Sequence, residues 1–131
     1  MQNDGNHLAG KRILVVEDEF MVAELLVQIL EQCGAEVVGP ASSLDTGLTI
    51  ARSDDRLDFA VLDINLRGNP SYPIADVLCE HAVPFLFVTG YDSSVIPDRY
   101  GEIPRCEKPV PGTALIRAIQ DLGPRALSAG S

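Results

Sequence analysis

The sequence predicts a single α/β domain, built on a doubly wound parallel β-sheet with helices on both faces. Three observations lead to this class. Short, almost wholly apolar runs alternate along the chain with longer segments in which apolar residues recur every three or four positions. The apolar runs do not alternate with polar residues, which is typical of parallel strands buried on both faces. The length of 131 residues suits one domain.

Five apolar runs are the candidate strands, at residues 13–16, 35–39, 59–62, 83–88 and 103–106. A helix follows the first strand, because Val22, Leu26 and other apolar residues share one helical face before Gly34 ends the pattern. Ser43 can cap a second helix, since its hydroxyl can accept a hydrogen bond from the first turn. Pro73 suits the first turn of a third helix.

The last third of the chain is less regular. Residues 92–103 have little helical periodicity and Pro97 forbids a long helix there, so a short or mobile fourth helix is expected. A final helix ends near Leu122. The chain therefore divides into an N-terminal tail, a domain and a C-terminal tail, at residues 1–10, 11–122 and 123–131.

Composition excludes several classes of protein. The formal net charge is −9 and lysine and arginine form no cluster, whereas nucleic-acid and acidic-membrane surfaces need clustered positive charge. No segment approaches the roughly 20 apolar residues of a membrane span, and no secretory signal is apparent. Cys33, Cys79 and Cys106 lie far apart, as in proteins with reduced thiols. We therefore predict a cytoplasmic protein with no nucleic-acid partner and no membrane insertion.

Polar residues stand directly after four of the candidate strands. In chain order they are Glu17, Asp18 and Glu19, then Asp63 and Asn65, then Thr89 and Gly90, and lastly Lys108. The carboxyl ends of parallel strands meet at one rim of a sheet, and ligands of open α/β sheets bind beyond that rim. We therefore expect these residues to share one site.

The carboxylates predict a metal site. Neighbouring carboxylates repel each other, and a hard divalent cation with oxygen ligands relieves the repulsion. Mg²⁺, or Mn²⁺ in its place, would bind Asp18 and Asp63 directly. The backbone carbonyl of Asn65 would add a ligand, and Glu17 could act through a water molecule. A metal held there would bridge to a phosphoryl oxygen.

The remaining groups suit phosphoryl transfer. Asp63 would be the nucleophile and would form an acyl phosphate. Lys108 would pair with one phosphoryl oxygen and Thr89 would hydrogen-bond another, while Gly90 would keep the approach open. Taken singly, these residues have simpler interpretations, such as a helix cap for Asp63 or a surface lysine for Lys108. Their occurrence in order at four successive strand ends is what indicates one site.

Four segments carry a family resemblance: ILVVEDE, VLDINLRG, FVTG and EKP. In this order they resemble the signatures of the receiver domain of two-component response regulators, over residues 11–122. The resemblance implies a flavodoxin-like receiver fold, with a five-stranded sheet of order 2-1-3-4-5 flanked by five helices. It also implies that a histidine kinase phosphorylates Asp63, with Thr89 as the switch hydroxyl, and that an unknown downstream protein receives the signal.

A finer resemblance concerns residues 87–91, which read FVTGY, and the segment SYPIADVL. Both are similar to a subgroup named after a Phe-Ala-Thr-Gly-Tyr motif, whose members look like stand-alone receivers of alphaproteobacteria served by atypical histidine kinases. With the last helix ending near Leu122, no output domain is expected. Signalling would then pass through phosphorylation-dependent contacts with another protein.

One position departs from the family pattern. Most receivers have an aromatic residue three positions before the lysine, and here that position is Arg105. Burying a guanidinium without a partner is costly, so the usual inward movement of a ring is not expected. Arg105 is either a solvated edge-strand residue or an atypical switch, and Tyr91 is a second candidate for the switch. Phosphorylation is expected to order residues 90–105.

Other functions share parts of this site. A phosphoryl sink or relay intermediate needs the same residues and stays open. A magnesium-dependent phosphohydrolase of the haloacid-dehalogenase type needs a second aspartate two residues after the nucleophile, where this chain has Asn65. A pseudo-receiver that only binds partners has no need of Asp63, Thr89 and Lys108 together. We therefore predict no enzyme activity beyond magnesium-dependent phosphorylation and dephosphorylation of the protein itself.

Overall fold

The computed structural model describes residues 8–90 and 96–130, and the side chains of all of these except residues 122–130. The strands and α-helices are, in order, β1 (Arg12–Val16), α1 (Phe20–Gln32), β2 (Glu36–Ala41), α2 (Leu44–Ser53), β3 (Phe59–Asp63), β4 (Asn65–Leu66), β5 (Asn69–Pro70), α3 (Tyr72–Glu80), β6 (Phe85–Thr89), β7 (Arg105–Glu107) and α4 (Gly112–Gly130). A 3₁₀ helix, Asp98–Tyr100, lies between β6 and β7.

Five strands form one parallel sheet in the order β2-β1-β3-β6-β7. Numbered among themselves, these strands have the order 2-1-3-4-5, so the structure confirms the predicted doubly wound α/β fold. β1 and β3 lie inside the sheet, and all of their residues are buried except Arg12, which is half-buried. Helices cover such strands on both faces, which explains why their sequences show no polar alternation.

Two hydrophobic cores cover the two faces of the sheet. On one face the strands pack with α2 and α3 around Leu62 and Ile74. On the other face they pack with α1 and α4 around Val61, Leu26 and Leu115. Successive residues of a strand, such as Val61 and Leu62, therefore point into different cores.

The described residues form four α-helices, one fewer than the family resemblance implies. In place of the fifth, the segment after β6 contains the 3₁₀ helix Asp98–Tyr100. Pro97 stands directly before this helix with extended angles (φ −54°, ψ 146°), and its ring disfavours the helical conformation at Ile96. Residues 91–95 of the predicted segment lie outside the described residues. None of the described helices combines the length and apolarity needed to cross a membrane.

A short antiparallel hairpin follows β3 directly, where the sequence predicts only a loop. β4 and β5 are its two strands. The connecting residues, Arg67 (φ 54°) and Gly68 (φ 88°), both have positive φ, as a type I′ turn requires. The side-chain oxygen of Asn65 accepts a hydrogen bond from the amide of Gly68 at 2.9 Å, which closes the turn.

Structure is described on both sides of residues 11–122, and the predicted division into a domain and two tails stays a prediction. Leu8, assigned to the N-terminal tail, is buried, and its amide donates to the carbonyl of Cys33 at 2.8 Å. A lone leucine has no periodic neighbours that would have marked it as part of the core. α4 continues past Leu122 to Gly130. Pro124 removes one backbone hydrogen bond there, but Arg125, Ala126 and Leu127 favour helix.

Candidate functional site

Three neighbouring strands bring their ends together at one rim of the sheet. β1 pairs with β3, and β3 pairs with β6. Asp63 ends β3 and is in register with Val88, so it lies beside Thr89. Glu17 follows β1, and its amide donates to the carbonyl of Ala41 at 2.9 Å. Backbone hydrogen bonds therefore set the positions from which these side chains project.

Glu17, Asp18 and Asp63 form an acidic cluster at this rim. Each offers a carboxylate oxygen, and these three oxygens lie within 4.8 Å of one another. Glu17 is 1% exposed and Asp63 is 4% exposed, so both carboxylates are removed from bulk water, while Asp18 is half-buried. Burying like charges side by side is unfavourable. The cluster therefore requires a compensating cation.

Lys108 supplies one such cation. Its Nζ lies 3.1 Å from Oε2 of Glu17 and 3.2 Å from Oδ2 of Asp63. A third carboxylate, that of Glu19, lies 2.5 Å from the same nitrogen, and the sequence had assigned Glu19 no role. The backbone amide of Lys108 donates to the carbonyl of Thr89 at 2.8 Å. Lys108 directly follows β7, which pairs with β6, and its side chain extends from there to Asp63.

Burial shifts the ionisation of these groups. Burial raises the pKa of Glu17 to about 8, and the neighbouring Asp63 carboxylate adds to the rise. Burial also raises the pKa of Asp63, although its hydrogen bond with Glu17 and the charge of Lys108 act against this. Burial by itself would lower the pKa of Lys108, but hydrogen bonds to Glu19 and Glu17 outweigh it, and the pKa is raised. In the metal-free cluster, Glu17 therefore keeps its proton to a higher pH than an exposed glutamate does, and Lys108 stays charged.

The donor set fits a hard divalent cation. Carboxylate oxygens this close together can share one octahedral Mg²⁺, which takes oxygen ligands at about 2.0–2.1 Å. The buried Oε1 of Glu17 has no hydrogen-bond partner among the described residues, and a buried polar atom favours an added partner. Asp18 and Asp63 are thus placed to hold Mg²⁺ or Mn²⁺, with Glu17 beside them. The contribution of the Asn65 carbonyl stays a prediction.

Thr89 presents a second buried polar atom without a partner. The residue is 1% exposed, and its Oγ1 makes no hydrogen bond within the described part of the chain. Because Thr89 lies beside Asp63, this hydroxyl is available to a group bound there. Gly90 is exposed, and a methyl group in its place would meet no atom within 4 Å. The predicted role of Gly90 in keeping the approach open stays a prediction.

The hairpin after β3 adds two contacts that the sequence did not indicate. The amide of Asn65 donates to Oδ1 of Asp63 at 3.2 Å, which orients the carboxylate. Nε of Arg67 lies 3.9 Å from Oδ2 of Asp18, and the Arg67 side chain is otherwise exposed. Strands of two residues are too short to show a pattern of apolar and polar residues. The sequence signal for the hairpin is therefore limited to its turn residues, Arg67 and Gly68.

The two candidates for an atypical switch differ in what the structure describes. Arg105 is exposed in the edge strand β7, in register with Phe87. This position agrees with a solvated edge-strand residue. Tyr91 lies outside the described residues. A switch role for either residue stays a prediction.

A buried aromatic residue that the sequence analysis missed lies close to β6. Tyr100 is 3% exposed; its ring stacks on Tyr72 with centroids 4.9 Å apart and meets Phe87 edge-on at 6.0 Å. Its hydroxyl donates to the carboxylate of Asp76. Tyr100 therefore connects the 3₁₀ helix to both α3 and β6. Its contact in β6, Phe87, is two residues before Thr89. An aromatic residue inside the polar segment DRYGE was the only sequence signal.

Comparisons with known sequences find proteins described as regulators. No family model matches the chain. The chain is 32% identical over 96 residues to the phyllosphere-induced regulator PhyR of Methylorubrum extorquens, in a match that covers 70% of this chain and 34% of that protein. The chain spans about a third of the length of the curated relatives it matches.

The matches to solved structures cover more of both chains. SdrG from Sphingomonas melonis Fr1 is 34% identical, with a TM-score of 0.71 over 86% of this chain and 97% of that one. A second SdrG structure, described as the BeF3-activated conformation, is 31% identical with a TM-score of 0.71 over 91% and 97%. The signal receiver domain of a modulated diguanylate cyclase from Desulfovibrio desulfuricans is 25% identical, with a TM-score of 0.77 over 90% and 97%.

The doubly wound sheet, with an acidic cluster and a lysine at its strand ends, agrees with the receiver class that the resemblance predicts, and the relatives agree with it. The chain belongs to the receiver-domain family of two-component response regulators. Within that family, the chain is similar to SdrG over nearly the whole of both chains. The predicted family resemblance is confirmed.

Proposed function

We propose that this receiver accepts a phosphoryl group on Asp63 and, while phosphorylated, changes its contacts with a partner protein. The observation that carries the proposal is the 3.2 Å contact between Nζ of Lys108 and Oδ2 of Asp63, inside an acidic cluster that fits a divalent cation. A carboxylate nucleophile, a cation for the phosphoryl oxygens and metal ligands are the parts that acyl phosphate formation uses.

In the proposed transfer, an oxygen of Asp63 forms a bond to the phosphorus of the donor while the bond from phosphorus to the leaving atom breaks. The leaving group departs with the electron pair of that bond, and Asp63 becomes an acyl phosphate. Lys108 then pairs with one phosphoryl oxygen, and Oγ1 of Thr89 donates a hydrogen bond to another. Bound Mg²⁺, held by Asp18 and Asp63 with Glu17 through water, would neutralise phosphoryl charge.

The proposed donor is a histidine kinase, and the support for it is membership of the receiver family. A relative with 31% identity, SdrG, has a structure described as BeF3-activated. By analogy, phosphorylation of this chain changes the surface that a downstream protein contacts. A phosphoryl sink or relay intermediate uses the same step and differs in where the group goes next.

We do not expect the protein to hydrolyse many unrelated phosphoesters. An enzyme of that kind needs a proton donor and acceptor near the nucleophile, and Asn65 carries an amide that transfers no proton. Its side-chain oxygen is engaged in closing the hairpin turn through Gly68. The proposed chemistry is therefore limited to phosphorylation and dephosphorylation of Asp63 itself.

Labelling with acetyl phosphate and Mg²⁺, followed by intact-mass measurement, tests the phosphoacceptor. The wild-type protein should gain the mass of one phosphoryl group and lose it in hydroxylamine, which cleaves acyl phosphates. Asp63→Asn should gain none. Asp55→Asn is the matched control, because Asp55 is exposed between α2 and β3 and the change of charge is the same. Equal labelling of Asp63→Asn and wild type would overturn the proposal.

Amide hydrogen exchange tests the signalling part. Trifluoroberyllate, a phosphoryl analogue, should change the protection of residues 90–105 in the presence of Mg²⁺, because Thr89 and Lys108 border this segment on either side. Asp63→Asn should show no such change. Identical exchange of the wild type with and without the analogue would contradict a conformational signal.

A further inference from the structure

The ammonium group of Lys108 has all of its donors engaged before any phosphoryl group arrives. An ammonium carries three N–H donors, and Nζ of Lys108 lies within hydrogen-bond distance of three carboxylates, those of Glu17, Asp63 and Glu19. To bind a phosphoryl oxygen, the group must therefore give up one of these partners.

Two of the three partners are held in place. The Glu17 side chain is fully buried and its Oε2 also accepts the amide of Glu19 at 3.1 Å. Asp63 is 4% exposed and accepts the amide of Asn65. Releasing either one would leave a buried carboxylate with fewer partners, which is costly. Both are also needed in the site itself.

Glu19 differs from the other two. Its side chain is 60% exposed, so water can replace the lysine at low cost. Its backbone is fixed at the start of α1, where its carbonyl accepts the amide of Ala23 at 2.9 Å. The side chain thus extends from a rigid point across the rim, and Lys108 is its hydrogen-bond partner among the described residues.

We propose that Glu19 is a positioning residue that holds Lys108 at the rim while Asp63 is unphosphorylated, and that a phosphoryl oxygen takes its place on Nζ. This inference rests on the proposed function of Asp63 and adds to it. Glu19 competes with the phosphoryl group for one donor of the lysine. It therefore sets how readily the site accepts the group, without being a ligand of the metal or of the phosphoryl group.

Removing the charge of Glu19 should strengthen binding of a phosphoryl analogue. Glu19→Gln leaves Lys108 with a weaker partner at the rim, so less must be broken when the analogue binds. Because the pair is largely exposed, the effect is modest: trifluoroberyllate should bind about two- to fivefold more tightly in Mg²⁺. The gain should shrink as salt is raised, since exposed charges are screened.

The test compares three proteins by calorimetric titration with trifluoroberyllate in saturating Mg²⁺: wild type, Glu19→Gln and Glu24→Gln. Glu24 is exposed on α1 and makes no described contact with Lys108, so its variant controls for the loss of one negative charge. A second readout is the NMR signal of the Lys108 side chain without metal or analogue. Glu19→Gln should shift it, and Glu24→Gln should leave it unchanged.

The inference is overturned if Glu19→Gln binds the analogue like wild type, if Glu24→Gln gains as much, or if the Lys108 signal does not respond to Glu19→Gln. Failure of the proposed function looks different. In that case the wild-type protein itself would bind no trifluoroberyllate, or Asp63→Asn would bind it equally well. Binding by wild type, loss in Asp63→Asn and a gain confined to Glu19→Gln support both.

Discussion

The backbone amide of Lys108 donates to the carbonyl oxygen of Thr89 at 2.8 Å. This bond belongs to the main chain, so it persists when the lysine side chain is replaced. Thr89 lies next to Asp63 in the sheet, so this bond places Lys108 close to the acidic cluster. Lys108 and Asp63 are 45 positions apart along the chain.

Lys108→Gln should separate metal binding from phosphoryl binding. The positive ammonium repels Mg²⁺, so without it the acidic cluster should bind the metal on the order of fivefold more tightly. Trifluoroberyllate should bind at least about tenfold more weakly, since one phosphoryl contact is lost. Calorimetric titration measures both. Lys11→Gln, with its charge at the opposite end of β1, is the control and should change neither. Weaker Mg²⁺ binding by Lys108→Gln would contradict the position of the ammonium beside the carboxylates that bind the metal.

The stability of the metal-free protein should fall as pH rises from about 5 to about 8. Burial raises the pKa of Glu17 to about 8 in the folded protein, above its ordinary value of 4.5. Between these values the folded state keeps a proton that the unfolded state has lost, so the free energy of unfolding decreases with pH. Asp63, whose pKa is also raised, acts with the same sign.

Urea unfolding across this pH range, in EDTA and in Mg²⁺, checks the expectation. The fall should be smaller with Mg²⁺, because the cation favours the ionised carboxylates. Glu17→Gln, which has no proton to lose, should flatten the metal-free profile. A profile for wild type no steeper than that for Glu17→Gln would show that Glu17 ionises normally.

Tyr100 should stabilise the domain through its ring more than through its hydroxyl. Tyr100→Phe keeps the stack on Tyr72 and loses the hydrogen bond to Asp76, which should cost about 1 kcal/mol. Tyr100→Ala also loses the buried ring and should cost about 3–4 kcal/mol. Urea unfolding gives both values. Amide exchange of residues 96–104 should be faster in the alanine variant. Equal costs for the two variants would mean that the ring packing contributes little.

Gly39 should be hard to replace because its backbone supports the site. It has φ 97°, and a Cβ there would lie 2.8 Å from the amide nitrogen of Ala41, whose carbonyl holds the amide of Glu17. Gly39→Ala should lower the free energy of unfolding by about 2–3 kcal/mol. Gly68→Ala is the matched comparison, since Gly68 has φ 88° but no atom within 4 Å, and it should cost about 1 kcal/mol.

Unfolding curves in urea compare the two glycine variants. Because Ala41 also positions Glu17, Gly39→Ala should in addition weaken Mg²⁺ binding, while Gly68→Ala should not. Equal stability of the two variants would show that β2 relaxes around the added methyl group.

Some elements could be predicted because their information is local. The run at residues 59–62 is apolar throughout and ends in Asp63, and both features are visible without any partner strand. The structure gives β3 the bounds Phe59–Asp63, with all residues buried. The pattern of Val22 and Leu26 likewise predicted α1. Periodicity reports which side of an element is buried, and strand ends report where polar groups collect.

Other features could not be predicted because they depend on residues distant in sequence. Tyr100 is buried by Tyr72 and Phe87, and nothing in the polar segment around it indicates burial. The hairpin at Arg67 has strands too short for a periodic signal. Leu8 is buried among residues distant in sequence, and its amide donates to the carbonyl of Cys33.

The sequence by itself determined the α/β class, the order of elements and the acidic, hydroxyl and lysine residues at the strand ends, because each of these is written in local patterns of apolar and polar side chains. Only the tertiary structure decided that Glu19 shares Lys108 with Glu17 and Asp63 across 89 residues of chain. The physical reason is that this contact depends on how far the exposed side chain of Glu19 extends from its fixed backbone. The spacing of residues along the sequence does not contain that information.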